Sequence, residues 1–186
     1  MRITGGQIRG RRLHTPRGLL VRPTSDRVRE AVFNILGQRL PGLNVLDIFS
    51  GTGSFGIEAL SRGAVSAIFI DRLRQAIDLI RKNIDSCGYG DRGTILRWDL
   101  TKGVPWGHPL LRKRRLDLVF VDPPYSRNLA IPALTGISQG KGLNAGARVV
   151  VESAKGSDLP PAFSSLQKVD ARIYGDTEIT IYEFRD

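Results

Sequence analysis

The chain has 186 residues, of which 41% are apolar and 25% charged, as expected of one soluble domain with a real core. No run of about 18 apolar residues occurs, which excludes a predicted membrane-spanning helix, and Met1-Arg2-Ile3-Thr4-Gly5-Gly6 lacks the apolar core of a signal peptide. The formal net charge is +10, and residues 1–42 hold nine arginines against two acids, so +7 of it is local.

Such asymmetry is the footprint of a segment that meets nucleic-acid phosphates. A solvated arginine-rich face is the alternative. A second basic cluster is Arg112-Lys113-Arg114-Arg115. The single cysteine, Cys87, cannot form an internal disulfide, which suits a reducing cytosol. No metal site is expected.

Residues 1–22 are rich in Gly and Arg and could hold a short hairpin around Arg2-Ile3 and Arg12-Leu13. Thr24 or Ser25 can cap a helix, with Asp26 in its first turn. That helix is predicted to run to about Leu40, with Val28, Ala31, Val32, Ile35 and Leu36 on one face, and Pro41-Gly42 to end it. Strand Asn44–Phe49, helix Phe55–Arg62 and strand Ser66–Ile70, closed by Asp71, follow. Leu73, Ala76, Ile77, Ile80 and Ile84 mark another helix. Strands are expected at Gly93–Arg97, at Leu116–Val121 before Asp122, and at Arg148–Val151 before Glu152. Gln167–Ile173 and Glu178–Phe184 read as an antiparallel pair.

Apolar strands separated by helices predict an α/β fold with a doubly wound, mostly parallel sheet covered on both faces. The whole chain reads as one domain, with residues 1–42 as a basic extension and a helix packed on it. Ligands in such sheets bind at the carboxyl ends of the strands. Asp47, Asp71, Asp99 and Asp122 all fall at or near such ends.

Asp47-Ile48-Phe49-Ser50-Gly51-Thr52-Gly53-Ser54-Phe55-Gly56 joins a strand to a helix. Its three glycines fit the dinucleotide pattern G-x-G-x-x-G. A nucleotide pyrophosphate, however, would gain nothing from Asp47. An acid there suits a cationic ligand, such as the ammonium or sulfonium of S-adenosylmethionine. Phe49, Ser50, Gly51 and Gly53 would line the cofactor, the glycines letting backbone approach it. Asp71 is placed to accept from both ribose hydroxyls, or else to cap a helix. Asp99 could accept from an adenine amine, or be an ordinary loop acid.

Val121-Asp122-Pro123-Pro124-Tyr125 is the most specific signal. Proline cannot donate to a strand ladder and fixes φ, so two in succession make a stiff turn. Such a turn can aim the Asp122 carboxylate and the carbonyl of Pro123 at the two N–H groups of an exocyclic base amine. Tyr125 offers a flat face for a flipped base. A rigid surface turn is the bland alternative.

At these residues the chain resembles a known family. Asp47–Gly53 resembles motif I of class I methyltransferases, and Asp122-Pro123-Pro124-Tyr125 resembles motif IV of the enzymes that methylate base amines. Arg2–Gly6 with Arg9–Leu13, then Arg22–Leu36, and Gly56–Ala64 together resemble the RsmD family. That resemblance implies a seven-stranded sheet with a final reversed hairpin, and S-adenosylmethionine as cofactor. It implies methylation of guanine N2 in 16S rRNA, within an assembled or assembling small ribosomal subunit. Independently of the resemblance, a cytoplasmic monomer without metal or membrane is expected. It also implies that Arg22-Pro23-Thr24 folds over the methionine end of the cofactor, with Thr24 among its contacts. Where the family usually carries Glu for the ribose, this chain has Asp71, one methylene shorter. Arg9, Arg11, Arg12, Arg22, Arg27 and Arg29 are the expected RNA contacts. The competing readings are a DNA adenine or cytosine amino-methyltransferase, for which there is little room for a recognition domain, and a non-catalytic RNA-binding assembly factor.

Overall fold

The computed structural model describes residues 1–15, 25–124 and 128–185. Helix α1 (Asp26–Leu36) starts at Ser25, whose hydroxyl accepts from the Val28 amide at 3.2 Å. It ends four residues before the predicted Leu40, because Gly37 leaves the helix at φ 105°. Alternating elements follow: β1 (Asn44–Ile48), α2 (Ser54–Ser61), β2 (Ser66–Asp71), α3 (Arg74–Ser86), β3 (Gly93–Arg97) and α4 (Pro109–Arg112). Then come β4 (Leu116–Val121), α5 (Ala130–Ser138) and β5 (Leu143–Ala154), and a closing run of β6 (Ala162–Phe163), β7 (Leu166–Tyr174) and β8 (Thr177–Phe184).

The strands form one sheet in the order β3-β2-β1-β4-β5-β8-β7-β6. The first five run parallel, and β8, β7 and β6 are antiparallel to their neighbours. The sheet has eight strands, not the expected seven. The eighth, β6, is two residues long and pairs only with Leu166 and Gln167, too short to leave a periodic signal. One face buries Phe33, Phe55 and Phe120 under α1, α2 and α3. The other buries Leu46, Ile68, Val119 and Val149 against α5. This two-sided burial explains why the inner strands read as continuous apolar runs.

Residues 1–15 are stitched into this core. Arg2 bridges Arg12 antiparallel, where the hairpin was expected. Ile3 and Leu13 are buried beside α1 and α2. The Glu58 carboxylate, on α2, accepts from the Thr4 and Gly5 amides at 2.9 and 2.8 Å and pairs with Arg29 and Arg62 at 3.1 and 2.8 Å. All three charged side chains are essentially inaccessible. Among the described residues no helix is long and apolar enough to cross a membrane.

Candidate cofactor and catalytic site

Sheet register sets the geometry of the site. Leu96, Ile70, Ile48, Val121 and Val151 lie in one row across β3, β2, β1, β4 and β5. One residue further along, at the carboxyl edge, stand Arg97, Asp71, Phe49, Asp122 and Glu152. With strands about 4.8 Å apart, Asp71 and Asp122 flank β1 at roughly 10 Å from each other.

The loop after β1 is tightly wound. Phe49 has φ 58° and Gly51 φ 53°. A left-handed phenylalanine costs roughly 1–3 kcal/mol and persists only where the surroundings enforce it. Here Ser50 enforces it: its amide donates to the Ile70 carbonyl at 3.1 Å, and its hydroxyl accepts from the Ile70 amide at 2.9 Å. The Ser50 hydroxyl is thus a staple between β1 and β2. The three glycines serve different ends. A Cβ on Gly56 would sit 2.3 Å from the Phe69 ring, so Gly56 lets α2 lie close on β2. Gly53 opens α2 at φ 76°. Over Gly51 an added Cβ would meet nothing nearer than the Phe49 carbonyl at 3.9 Å, leaving open space for a ligand against the backbone.

Asp47 corrects an expectation. It is 1% exposed, and its Oδ2 accepts from the Gly56 amide at 2.9 Å. It therefore supports the start of α2 from behind the loop and does not present its carboxylate to a ligand. Burial, with Asp71 nearby, pushes its carboxyl up to about 8. Asp71 does reach the edge. Its Oδ2 accepts from the Gly51 amide at 3.0 Å and its Oδ1 from the Leu73 amide at 2.9 Å. It joins the glycine loop to the entry of α3, and each oxygen keeps a further lone pair for a hydroxyl.

Beside Asp71 opens a cleft of about 450 Å³ lined by Arg72, Leu73, Arg97, Trp98, Asp99 and Lys102. Leu73 is 52% exposed here, an apolar surface without a packing role. The Trp98 amide donates to the Asp71 carbonyl at 3.0 Å and its indole to the Gly103 carbonyl at 3.0 Å, which fixes the ring. Asp99 caps the short 3-10 turn after β3, accepting from the Thr101 hydroxyl at 2.8 Å, and that bond holds its carboxyl below the usual value. Leu73, expected on the buried face of a helix, instead stands exposed at the N-cap of α3, and Trp98, which no sequence signal marked as a site residue, lines the same cleft.

The Asp122 amide donates to the Ile48 carbonyl at 3.4 Å, tying the Asp122-Pro123-Pro124 turn to the end of β1. The Asp122 side chain is partly exposed, Pro123 is buried and Pro124 is exposed. Thr24, Arg22 and Tyr125 lie outside the described residues. Arg9, Arg12 and Arg27 are at the surface, and so is Arg11, whose guanidinium also donates to the Ser86 carbonyl. Arg29 is the second correction. It is 0% exposed and committed to Glu58, Asp26 and the Arg2 carbonyl, so it fastens the hairpin to α1 and α2 and cannot reach a phosphate.

A family model described as conserved hypothetical protein 95 matches residues 1–183. The chain belongs to that family, the RsmD family. It is 33% identical over 189 residues to the ribosomal RNA small subunit methyltransferase D of Escherichia coli K12, covering 98% of this chain and 89% of that protein. It is 33% identical over 162 residues to the protein of that name from Haemophilus influenzae, covering 86% and 81%. The solved Escherichia coli structure of yhhF superposes with a TM-score of 0.84 at 31% identity, covering 100% of this chain and 98% of that one.

Proposed function

We propose that the protein is an S-adenosylmethionine-dependent methyltransferase that acts on the exocyclic N2 amine of a guanine in 16S rRNA of the small ribosomal subunit. The observation that carries this reading is the single row of Asp71, the glycine loop and Asp122 along one sheet edge, in a chain whose relatives are named for small-subunit rRNA methylation. When bound, the cofactor supplies a methyl group on a cationic sulfur, ready for in-line displacement. Asp71 accepts from the ribose hydroxyls. Leu73 and Trp98 sandwich the adenine, and Asp99 accepts from its amine. Gly51 admits the remainder of the cofactor to the backbone.

Asp122 and the Pro123 carbonyl accept the two N–H groups of the guanine amine, which turns the nitrogen lone pair toward the methyl. After transfer, the proton lost from nitrogen passes to Asp122 or to water. Tyr125 supplies the stacking face for the extruded base. Most of the rate enhancement then comes from positioning and preorganised acceptors. The exposed arginines of the hairpin hold phosphates, and a ribosomal substrate places the enzyme in the cytoplasm. The test combines calorimetric titration with S-adenosylhomocysteine and mass spectrometry of 16S rRNA after incubation with unmodified small subunits. Cofactor binding together with N2-methylguanosine supports the reading. A methyl group on another base position, or on none, overturns it.

A further inference from the structure

The cofactor loop and the basic hairpin are joined through one buried side chain. Asn83 lies on α3 and is 0% exposed. Its Nδ2 donates to the Thr52 carbonyl at 2.9 Å, inside Gly51-Thr52-Gly53, and to the His14 carbonyl at 3.0 Å. Its Oδ1 accepts from the His14 amide at 2.7 Å. Both donors of the amide and its acceptor are thereby used. Only asparagine's short amide offers two donors and an acceptor in this fork; Asp loses the donors, and Leu loses everything.

The surroundings repeat the connection. The Met1 sulfur lies 3.6 Å from the Thr52 hydroxyl, and the Arg11 guanidinium donates to the Ser86 carbonyl at the end of the same helix. A helix that only needed to pack would not require a buried amide: Ile80 and Ile84 already pack α3 on this face of the sheet. A shift of the Thr52 backbone therefore moves His14, and with it the exposed arginines that precede it.

We propose that Asn83 is a positioning residue that couples the cofactor loop to the RNA-facing hairpin, so that cofactor and RNA strengthen each other's binding. The inference rests on the reading that the chain binds S-adenosylmethionine and rRNA. Linkage makes the coupling reciprocal, so it can be read from either ligand.

The experiment is equilibrium dialysis with radiolabelled S-adenosylhomocysteine, with and without saturating unmodified small subunits. For the wild type, the subunits should tighten cofactor binding by at least about fivefold. His14→Pro replaces the N–H that donates to Asn83 with the ring Cδ and removes the imidazole, a loss His14→Ala controls for, while the Thr52 carbonyl keeps its Nδ2 donor. It should keep cofactor affinity in the absence of RNA and reduce the coupling to near one. His14→Ala keeps that amide and should keep the coupling, even if RNA affinity changes. Asn83→Leu should lose the coupling and also weaken the cofactor alone by roughly two- to twelvefold, since the Thr52 carbonyl loses its donor. Should Asn83→Leu fail to fold, the two His14 variants decide. Independent binding of the two ligands by the wild type, or full coupling in His14→Pro, overturns the inference and leaves the methyltransferase reading standing. Absence of any cofactor binding by the wild type overturns both.

Discussion

Two acids of the same β1–α2 unit are buried to the same degree in opposite surroundings. Glu58 has two arginines, two backbone amides and the Thr4 hydroxyl around its carboxylate. Asp47 has one amide, from Gly56, and the nearby charge of Asp71. A buried charge persists when partners replace its hydration, and takes up a proton when they do not. The hairpin side of the molecule thus uses charge as a structural fastener, whereas the cofactor side holds an undercompensated acid behind an open loop.

Glu58→Gln should destabilise the protein most. It leaves Arg29 and Arg62 buried without the counter-charge they share, which should cost about 3–5 kcal/mol. Denaturant unfolding measures it, and a loss below about 1 kcal/mol would show the fastener to be dispensable. Asp47→Asn sharpens the other side. The folded-state pKa of Asp47, about 8, lies above its ordinary 3.8. Its contribution to stability is therefore fully present below about pH 4 and is lost as the pH rises through about 8. In that window the wild type should lose on the order of 1 kcal/mol per pH unit relative to Asp47→Asn, which mimics the protonated acid. Parallel stability curves for the two proteins would place the proton elsewhere.

Asp71→Ala removes the proposed ribose acceptor and the bridge from Gly51 to Leu73. Affinity for S-adenosylhomocysteine should fall by roughly 1.5–3 kcal/mol in calorimetry, and equal affinities would take Asp71 out of the site. The smallest effect belongs to the hairpin surface. Replacing Arg9, Arg11 and Arg12 with Ala should flatten the log–log salt dependence of subunit binding by about one unit for each phosphate left without its arginine. Arg11 should contribute least, since its guanidinium already serves the Ser86 carbonyl. An unchanged slope would mean that these arginines face only solvent.

How much of this is legible in the sequence depends on how local each cause is. Strands β2 and β4 are readable because two-sided burial writes apolar runs closed by Asp71 and Asp122. The Asp122-Pro123-Pro124 turn is readable because proline's constraint is intrinsic. Helix α5 is not: it is short and mostly apolar, without charged residues, and carries Pro132 in its first turn, where proline is tolerated. Arg29 looks like a phosphate contact among other arginines. Its true partner, Glu58, is 29 positions away and can be matched only in three dimensions. Asn83 sits in an amphipathic helix pattern as one more polar residue, with nothing nearby in sequence to mark its partners. Asp47 lies near the end of β1, just before the glycine loop, as its place in the sequence implies. Whether it faces the ligand or the helix behind it depends on the path of the backbone after Phe49.

In the proposed mechanism the Asp122 turn grips the target amine while the cofactor is held elsewhere along the sheet edge. Single-turnover methylation of unmodified small subunits by wild type and Asp122→Ala, paired with cofactor titration of both, tests it most directly. The rate should fall by about a hundredfold to a thousandfold, with cofactor affinity nearly intact. A fully active Asp122→Ala protein, or one that loses activity only because it no longer binds the cofactor, would contradict it.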